Sequence, residues 1–335
     1  MSSAVHRRAA RAARAARAPL PGLFGPLNPP FADYRGRRVW VIGASYGIGA
    51  AIARDLLGRG AKVALSARKR DLLEKVAGGD PEALILPLDV TDVASVQAAA
   101  KAIGRAWGGF DLALVVAGTH VEMRAHPGPV AGGPAAEPDA PHWNLAKARQ
   151  LLEVNLHGVL NCVDAILPVL GRQGSGGIAI VASVAGYLGL PKSLVYGASK
   201  AALINFTESL YGDLRPLGIG VYLVNPGFVD TPLTQRNDFA MPALMTADKA
   251  ARRTLDGIAA VVPLLADVPV DATVPGHPEH ITHAMIPDII EEADAVVQID
   301  SQVPWPCHRY EDQPTQRFEG RPPEGAALAL GEEPI

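Results

Sequence analysis

Tyr196 and Lys200 stand four residues apart in Tyr-Gly-Ala-Ser-Lys, and Ser183 lies thirteen positions before the tyrosine. Residues four apart share a helix face, so the phenol and the ammonium can enter one cleft together. Such a pair suits proton transfer to and from a reacting oxygen. A free tyrosine has a pKa of about 10, too high for efficient work near neutrality. Bringing it to about 7 takes roughly 4 kcal/mol of preferential stabilisation of the phenolate, which a cation in a partly dry cleft can supply. Ser183 closes the apolar run GIAIVAS, and its hydroxyl can donate to an oxygen on which negative charge develops. Taken singly, a tyrosine or serine in such elements usually just packs. The joint spacing is what points to chemistry.

A second constellation lies near the start of the ordered pattern. Gly43-Ala44-Ser45-Tyr46-Gly47-Ile48-Gly49 follows the apolar run RVWVIG and leads into the helical IGAAIARDLLGRG. Two chemistries fit it. Gly-x-Ser-x-Gly is the pattern of a hydrolase nucleophile elbow, with Ser45 as nucleophile. Glycines at 43, 47 and 49 also give a tight turn, close backbone approach to a pyrophosphate, and a helix N-terminus whose free N–H groups favour negative charge. An elbow needs earlier strands and an oxyanion loop, but residues 1–37 hold no HGGG-type segment. Context therefore favours the dinucleotide turn. The spacing is not the usual G-x-G-x-x-G, and alone it is weak evidence.

The elements that must position these groups alternate from Arg38 onward. RVWVIG, KVALSA, ALILPLD, LALVVAG, GIAIVAS and IGVYLVNP read as strands. Between them lie helices over 48–60, 71–77, 92–107 with Thr91 as N-cap, 144–170 as one long helix, and 195–217. Continuous apolar strands separated by helices imply an α/β fold, a doubly wound parallel sheet of Rossmann type. The expected organisation is a single domain over 33–260 with irregular extensions at 1–32 and 261–335. The segment 124–142, crowded with Pro, Gly and Ala, reads as a loop bordering the cleft. Ten prolines between 263 and 323 leave room for little beyond one strand in ADAVVQID.

With these elements in order, the sequence resembles the short-chain dehydrogenase/reductase family over roughly 33–260. GASYGIG is similar to its cofactor loop and YGASK to its YxxxK signature. LDVTD with Asp89 resembles the adenine-contacting segment, LEVNLHG with Asn155 the helix asparagine, and NPGFVDTP the stretch beside the nicotinamide. Two positions differ: Ile42 stands where the family usually has Thr, and Val116 where its N-A-G has Asn. The resemblance implies an oxidoreductase that interconverts a carbonyl and an alcohol with hydride from NAD(P)H. It makes Tyr196 the general acid/base and Ser183 a donor to the substrate oxygen. Lys200 would also hold the nicotinamide ribose, and Asn155 would anchor a proton-relay water. Cofactor contacts fall to Gly43, Ser45, Gly47, Ile48, Gly49, Asp89, Gly118, Tyr196, Lys200, Pro226, Gly227, Val229 and Thr231. The resemblance further implies a homodimer or homotetramer paired through the helices at 144–170 and 195–217. The alternative is a non-catalytic relative, a binding or regulatory protein on the same fold.

Charge bears on the choice of cofactor. An acidic residue usually ends the second strand where NAD is used, but here Ala67 is followed by Arg68 and Lys69. A guanidinium pairs with a 2′-phosphate that a carboxylate would repel, so NADPH is expected over NADH, with Arg68 as a contact. Leu233, Phe239, Met241, Leu244 and Met245 make the segment after Pro226-Gly227 apolar, which suggests a hydrophobic substrate.

A net charge of −3 argues against a nucleic-acid partner, and no unbroken apolar run suggests a membrane span. Two distant cysteines, Cys162 and Cys307, form no framework and fit a reducing, cytoplasmic setting. The arginine- and alanine-rich start has the composition of a transit peptide, though a disordered basic tail is the simpler reading. His277, His280 and His283 lack supporting carboxylates or cysteines, so no metal site is expected.

Overall fold

Unbroken aliphatic and β-branched runs pair into a seven-stranded sheet in the computed structural model. The structure describes residues 31, 33–125, 142–190, 192–235, 241, 243–259 and, for the backbone alone, 296–298. β1 (Arg38–Ile42), β2 (Lys62–Ser66), β3 (Ala83–Ile85), β4 (Leu112–Val115), β5 (Gly177–Val181) and β6 (Gly220–Asn225) run parallel in the order β3-β2-β1-β4-β5-β6. The order reverses between β1 and β4, the switch point where such sheets open a crevice at their carboxyl ends.

Side chains alternate along each strand between two covered faces. Trp40, Ile42, Ala113, Val115, Ile178, Ile180, Val221 and Leu223 point into one layer. Val39, Val41, Leu112, Leu114, Ala179 and Tyr222 point into the other. The described helices are α1 (Gly47–Gly58), α2 (Arg70–Ala77), α3 (Val93–Trp107), α4 (Leu145–Leu152), α5 (Gly158–Gln173), α6 (Leu194–Leu214) and α7 (Ala247–Ala259). α3, α5 and α6 supply the first layer, whereas α1, α2 and α7 supply the second. Each fully buried aliphatic side chain contributes about 1.5–3 kcal/mol. This two-sided burial fixes where the strand ends stand.

Several details depart from the sequence reading. Asp92, rather than Thr91, caps α3, its carboxylate accepting from the Ala94 N–H at 3.0 Å. Thr91 instead turns its hydroxyl to Asp89 Oδ1 at 2.8 Å. The helix expected at 144–170 runs unbroken from Leu145 to Gln173, but it widens into a π-helical turn at Glu153–His157. Its extra residue changes the direction of Asn155, which is fully buried. Phe31, outside the expected domain start, is buried in the layer of α7 beside Tyr34. Tyr34 anchors this entry by donating to the Leu255 carbonyl at 2.6 Å.

The strand expected within ADAVVQID is described as β9 (Val296–Gln298), which pairs antiparallel with β6 at the sheet edge. By length and composition, Leu145–Gln173 could cross a membrane, which a count of unbroken apolar residues does not foresee. Here Val159, Cys162, Val163, Ile166 and Leu170 from that stretch pack into the first layer. The basic start, most of 124–142, and the tail with its three histidines lie outside the described residues.

Candidate active site

The carboxyl ends of β1, β4 and β5 open into a cavity of about 640 Å³. Its floor under the switch point is main chain. After β1, Gly43 turns with φ +100°, and the Gly43 and Ala44 N–H groups donate to the Ser66 carbonyl at 2.7 and 3.0 Å. The Ile42 carbonyl accepts from Val116 and Ala117 at the end of β4. A Cβ on Gly43 would lie 2.6 Å from Ala117 N, and one on Gly49 only 2.2 Å from the Gly43 carbonyl oxygen. Gly47, at φ +52°, has Thr231 against the place a Cβ would take. Side chains are excluded here by contact, and the backbone therefore faces the cavity.

α1 starts at this turn. Its N-cap Tyr46 makes no side-chain capping bond, and its first turn holds no acid. The free N–H groups of that first turn point where an anion would be stabilised. Gly43, Ser45, Gly47, Ile48, Gly49, Arg68, Asp89, Gly118, Pro226, Gly227, Val229 and Thr231 all line the same cavity. Arg68 is exposed on the rim, close enough to Asp89 to help hold its carboxyl below the ordinary range, after the larger effect of the Thr91 N–H bond. The chemistry of this wall fits a dinucleotide phosphate: uncapped N–H groups, glycines forced by contact, and a cation beside the end of β2.

Ser183, Tyr196 and Lys200 form the opposite part of the lining. Ser183 leaves β5 and caps a 3-10 turn, Val184–Gly186, by accepting from Ala185 N–H at 3.2 Å. That turn lies hard against α6: a Cβ on Gly186 would come within 2.8 Å of the Ala201 nitrogen. The close approach sets Ser183 beside Tyr196, near enough for the serine hydroxyl to act on the phenol. One helical turn on, Lys200 is buried and donates to the Val181 carbonyl at 3.0 Å.

The electrostatics differ from the expected lowering of the tyrosine. Burial raises Tyr196 above its ordinary value, and the Ser183 hydroxyl opposes this in part. Lys200 Nζ sits 5.7 Å from the Tyr196 ring centroid and spends a hydrogen bond on Val181. Burial pushes Lys200 itself down to about 8. At neutral pH the phenol therefore keeps its proton.

Asn155 is not part of the cavity lining. Its Oδ1 accepts from Thr119 N–H at 2.7 Å, and its Nδ2 donates to the Thr119 carbonyl at 2.9 Å and to Ser199 Oγ at 3.3 Å. Ser199 in turn donates to the Tyr196 carbonyl at 2.7 Å. The carboxamide thus ties the exit of β4 to the helix bearing Tyr196. It is committed to protein groups rather than turned toward the cleft.

Sequence reasoning stopped at Gly118 and so missed His120, two residues on, whose ring meets that of Tyr196 edge-on at 4.8 Å between centroids. A histidine just past a strand end at the switch point was the available signal. The apolar segment after Gly227 divides. Its ends are held by β7 (Val229–Asp230) pairing with β8 (Met245–Thr246). Met245 is buried in that small core, Leu233 faces the cavity, Leu244 is exposed, and Phe239 lies outside the described residues.

A short chain dehydrogenase family model matches residues 37–241. An uncharacterized oxidoreductase of Staphylococcus epidermidis is 32% identical over 212 residues, 63% of this chain and 86% of that protein. Among solved structures, one described as ribose-5-phosphate isomerase from Brucella melitensis 16M is 28% identical at a TM-score of 0.58, covering 69% of this chain and 90% of its own. ElxO with NADP bound shares the fold at 21% identity and a TM-score of 0.57, over 67% of this chain and 91% of its own.

Proposed function

The chain belongs to the short-chain dehydrogenase/reductase family and is an oxidoreductase, and from that premise we propose that it reduces a carbonyl on a largely hydrophobic substrate with NADPH. The observation that carries this reading is the convergence of Ser183, Tyr196 and Lys200 with the glycine turn on one cavity. The cofactor, when bound, supplies hydride. The first turn of α1 would hold its pyrophosphate, and Arg68 with Lys69 would favour a 2′-phosphate. The fold accommodates NADP in ElxO.

The remaining work falls to the chain's own groups. Ser183 offers a hydrogen bond to the carbonyl oxygen, and Tyr196, protonated at neutral pH, gives that oxygen its proton. A proton-bearing phenol suits reduction. Lys200 supplies positive charge below about 8 to stabilise the phenolate that remains. Leu233 on the cavity wall, with Leu244 exposed on the same loop, offers apolar surface to a substrate chain.

The test is a fluorescence titration of the purified protein with NADPH and NADH, followed by a ketone and aldehyde reduction screen beside Tyr196→Phe. Tighter NADPH binding, with turnover that Tyr196→Phe abolishes, is expected. Binding of neither nucleotide would overturn the cofactor assignment. Turnover indifferent to Tyr196→Phe would overturn its role as the acid.

A further inference from the structure

His120 stands against the proton donor but is used by no step above. It lines the cavity with Ser183 and Tyr196, and its ring meets Tyr196 at 84° with centroids 4.8 Å apart. Neither ring nitrogen is hydrogen-bonded among the described residues, although the residue is half-buried. Its nitrogens are not among the polar atoms sealed in the described interior, so they are open on the cavity side and can exchange water for a ligand oxygen. The neighbouring acid is already engaged: Glu122 pairs with Lys192 at 3.8 Å, and both are largely sheltered. Burial holds His120 below its ordinary value, with Glu122 only partly opposing this. Near neutrality the imidazole is uncharged, with one nitrogen donating and the other accepting.

Its placement is also fixed from behind. Asn155 clamps both polar atoms of the Thr119 backbone, immediately before His120, and through Ser199 it reaches the Tyr196 carbonyl. One buried carboxamide thus sets the backbones of both rings. A pair held this way can read the distance between two oxygens of one ligand.

Building on the carbonyl-reductase reading, we propose that His120 is a substrate-recognition residue that hydrogen-bonds a second oxygen of the substrate, on the carbon beside the reacting carbonyl or the next one along. The preferred substrate class is then a ketone with a neighbouring oxygen function, such as a β-keto ester or an α-hydroxy ketone, rather than a plain hydrocarbon ketone. The Ser183 and Tyr196 hydroxyls take the reacting oxygen, and His120 takes the other. A site built to bond a polar group discriminates against analogues that lack it.

The experiment compares kcat/KM with NADPH for ethyl acetoacetate and 2-pentanone in the wild type, His120→Phe and His120→Gln, with NADPH binding measured for each. The phenylalanine keeps a flat ring against Tyr196 but removes the hydrogen bond, while the glutamine restores donor and acceptor. The expected result is a wild-type preference for the keto ester that falls about tenfold in His120→Phe and is partly recovered in His120→Gln. A preference ratio unchanged in His120→Phe, whatever the absolute rates, overturns the proposal and leaves His120 as packing for the tyrosine. A wild type that binds NADPH but reduces neither probe, nor any ketone in the screen, overturns the reductase reading and this inference with it.

Discussion

Between Gly43 and Gly49 the cavity wall is main chain, fixed by contacts as close as a Cβ would make at 2.2 Å. Across from it the described wall runs from Val229 to Thr234, with Leu233 on it, and Val229–Asp230 is held by a two-residue ladder to Met245–Thr246. The two regions touch where Thr231 packs on Gly47. On the first wall, contact excludes a side chain at Gly43, Gly47 and Gly49, leaving backbone N–H groups open to a phosphate. The other presents side chains, Leu233 and Thr234 among them. On the proposed reading, cofactor and substrate take separate parts of one cavity.

Changes to either wall can sharpen this contrast. The largest effect is expected where the walls meet the chemistry: Tyr196→Phe should lower carbonyl reduction by about 10²–10⁴-fold while NADPH still quenches or enhances fluorescence as before. Loss of nucleotide binding in that variant would show that the tyrosine mainly supports the cofactor wall. Next comes Gly49→Ala, which forces a Cβ against the Gly43 carbonyl. Overpacking of this kind costs about 1–3 kcal/mol, so Tm should fall by several degrees and NADPH affinity should drop with it. Gly58→Ala, with nothing within 4 Å of its Cβ, should leave both unaltered. Equal behaviour of the two variants would remove the steric account of the glycine turn.

Arg68→Glu should weaken NADPH binding by about ten- to a hundredfold, the worth of a charged hydrogen bond, with NADH binding spared. Parallel losses for both nucleotides would contradict a contact to the 2′-phosphate. The pH dependence follows from Lys200. Burial lowers it from 10.5 to about 8, so the folded protein releases this proton before the unfolded chain does. Stability linked to the group therefore rises with pH between about 8 and 10.5, while turnover that needs the ammonium falls through about 8. A Lys200→Met variant should be slow and lack that fall; retention of it would assign the limb to another group. The smallest change is expected from Leu233→Ser, which should raise KM for a long-chain ketone by about threefold to tenfold. An unchanged KM would mean that the loop packs on itself and leaves the substrate to other residues.

Much of the site was written in local sequence. Gly43, Gly47 and Gly49 could be read because a turn and two close approaches demand glycine, and demand it at fixed spacing. Tyr196 and Lys200 could be read because the helical repeat puts residues four apart on one face. The strands were visible as unbroken apolar runs, since a sheet covered on both sides has no polar positions to interrupt them. The N-cap of α3 was misplaced by one residue because Thr91 and Asp92 are both good caps, and only the final geometry chose between them. The π-turn at Asn155 has no composition of its own.

What remained illegible depends on groups far apart in the chain. The sequence alone determined the order of strands and helices along the chain, the glycine turn and the pairing of Tyr196 with Lys200 on one helix face, because each follows from contacts between near neighbours. Only the tertiary structure decided that Asn155 braces Thr119 and Ser199 rather than facing the cleft, that burial keeps the Tyr196 phenol protonated, and that His120 meets that ring. Such outcomes depend on desolvation and on which side chains converge from separate strands, and these quantities exist only once the sheet has closed.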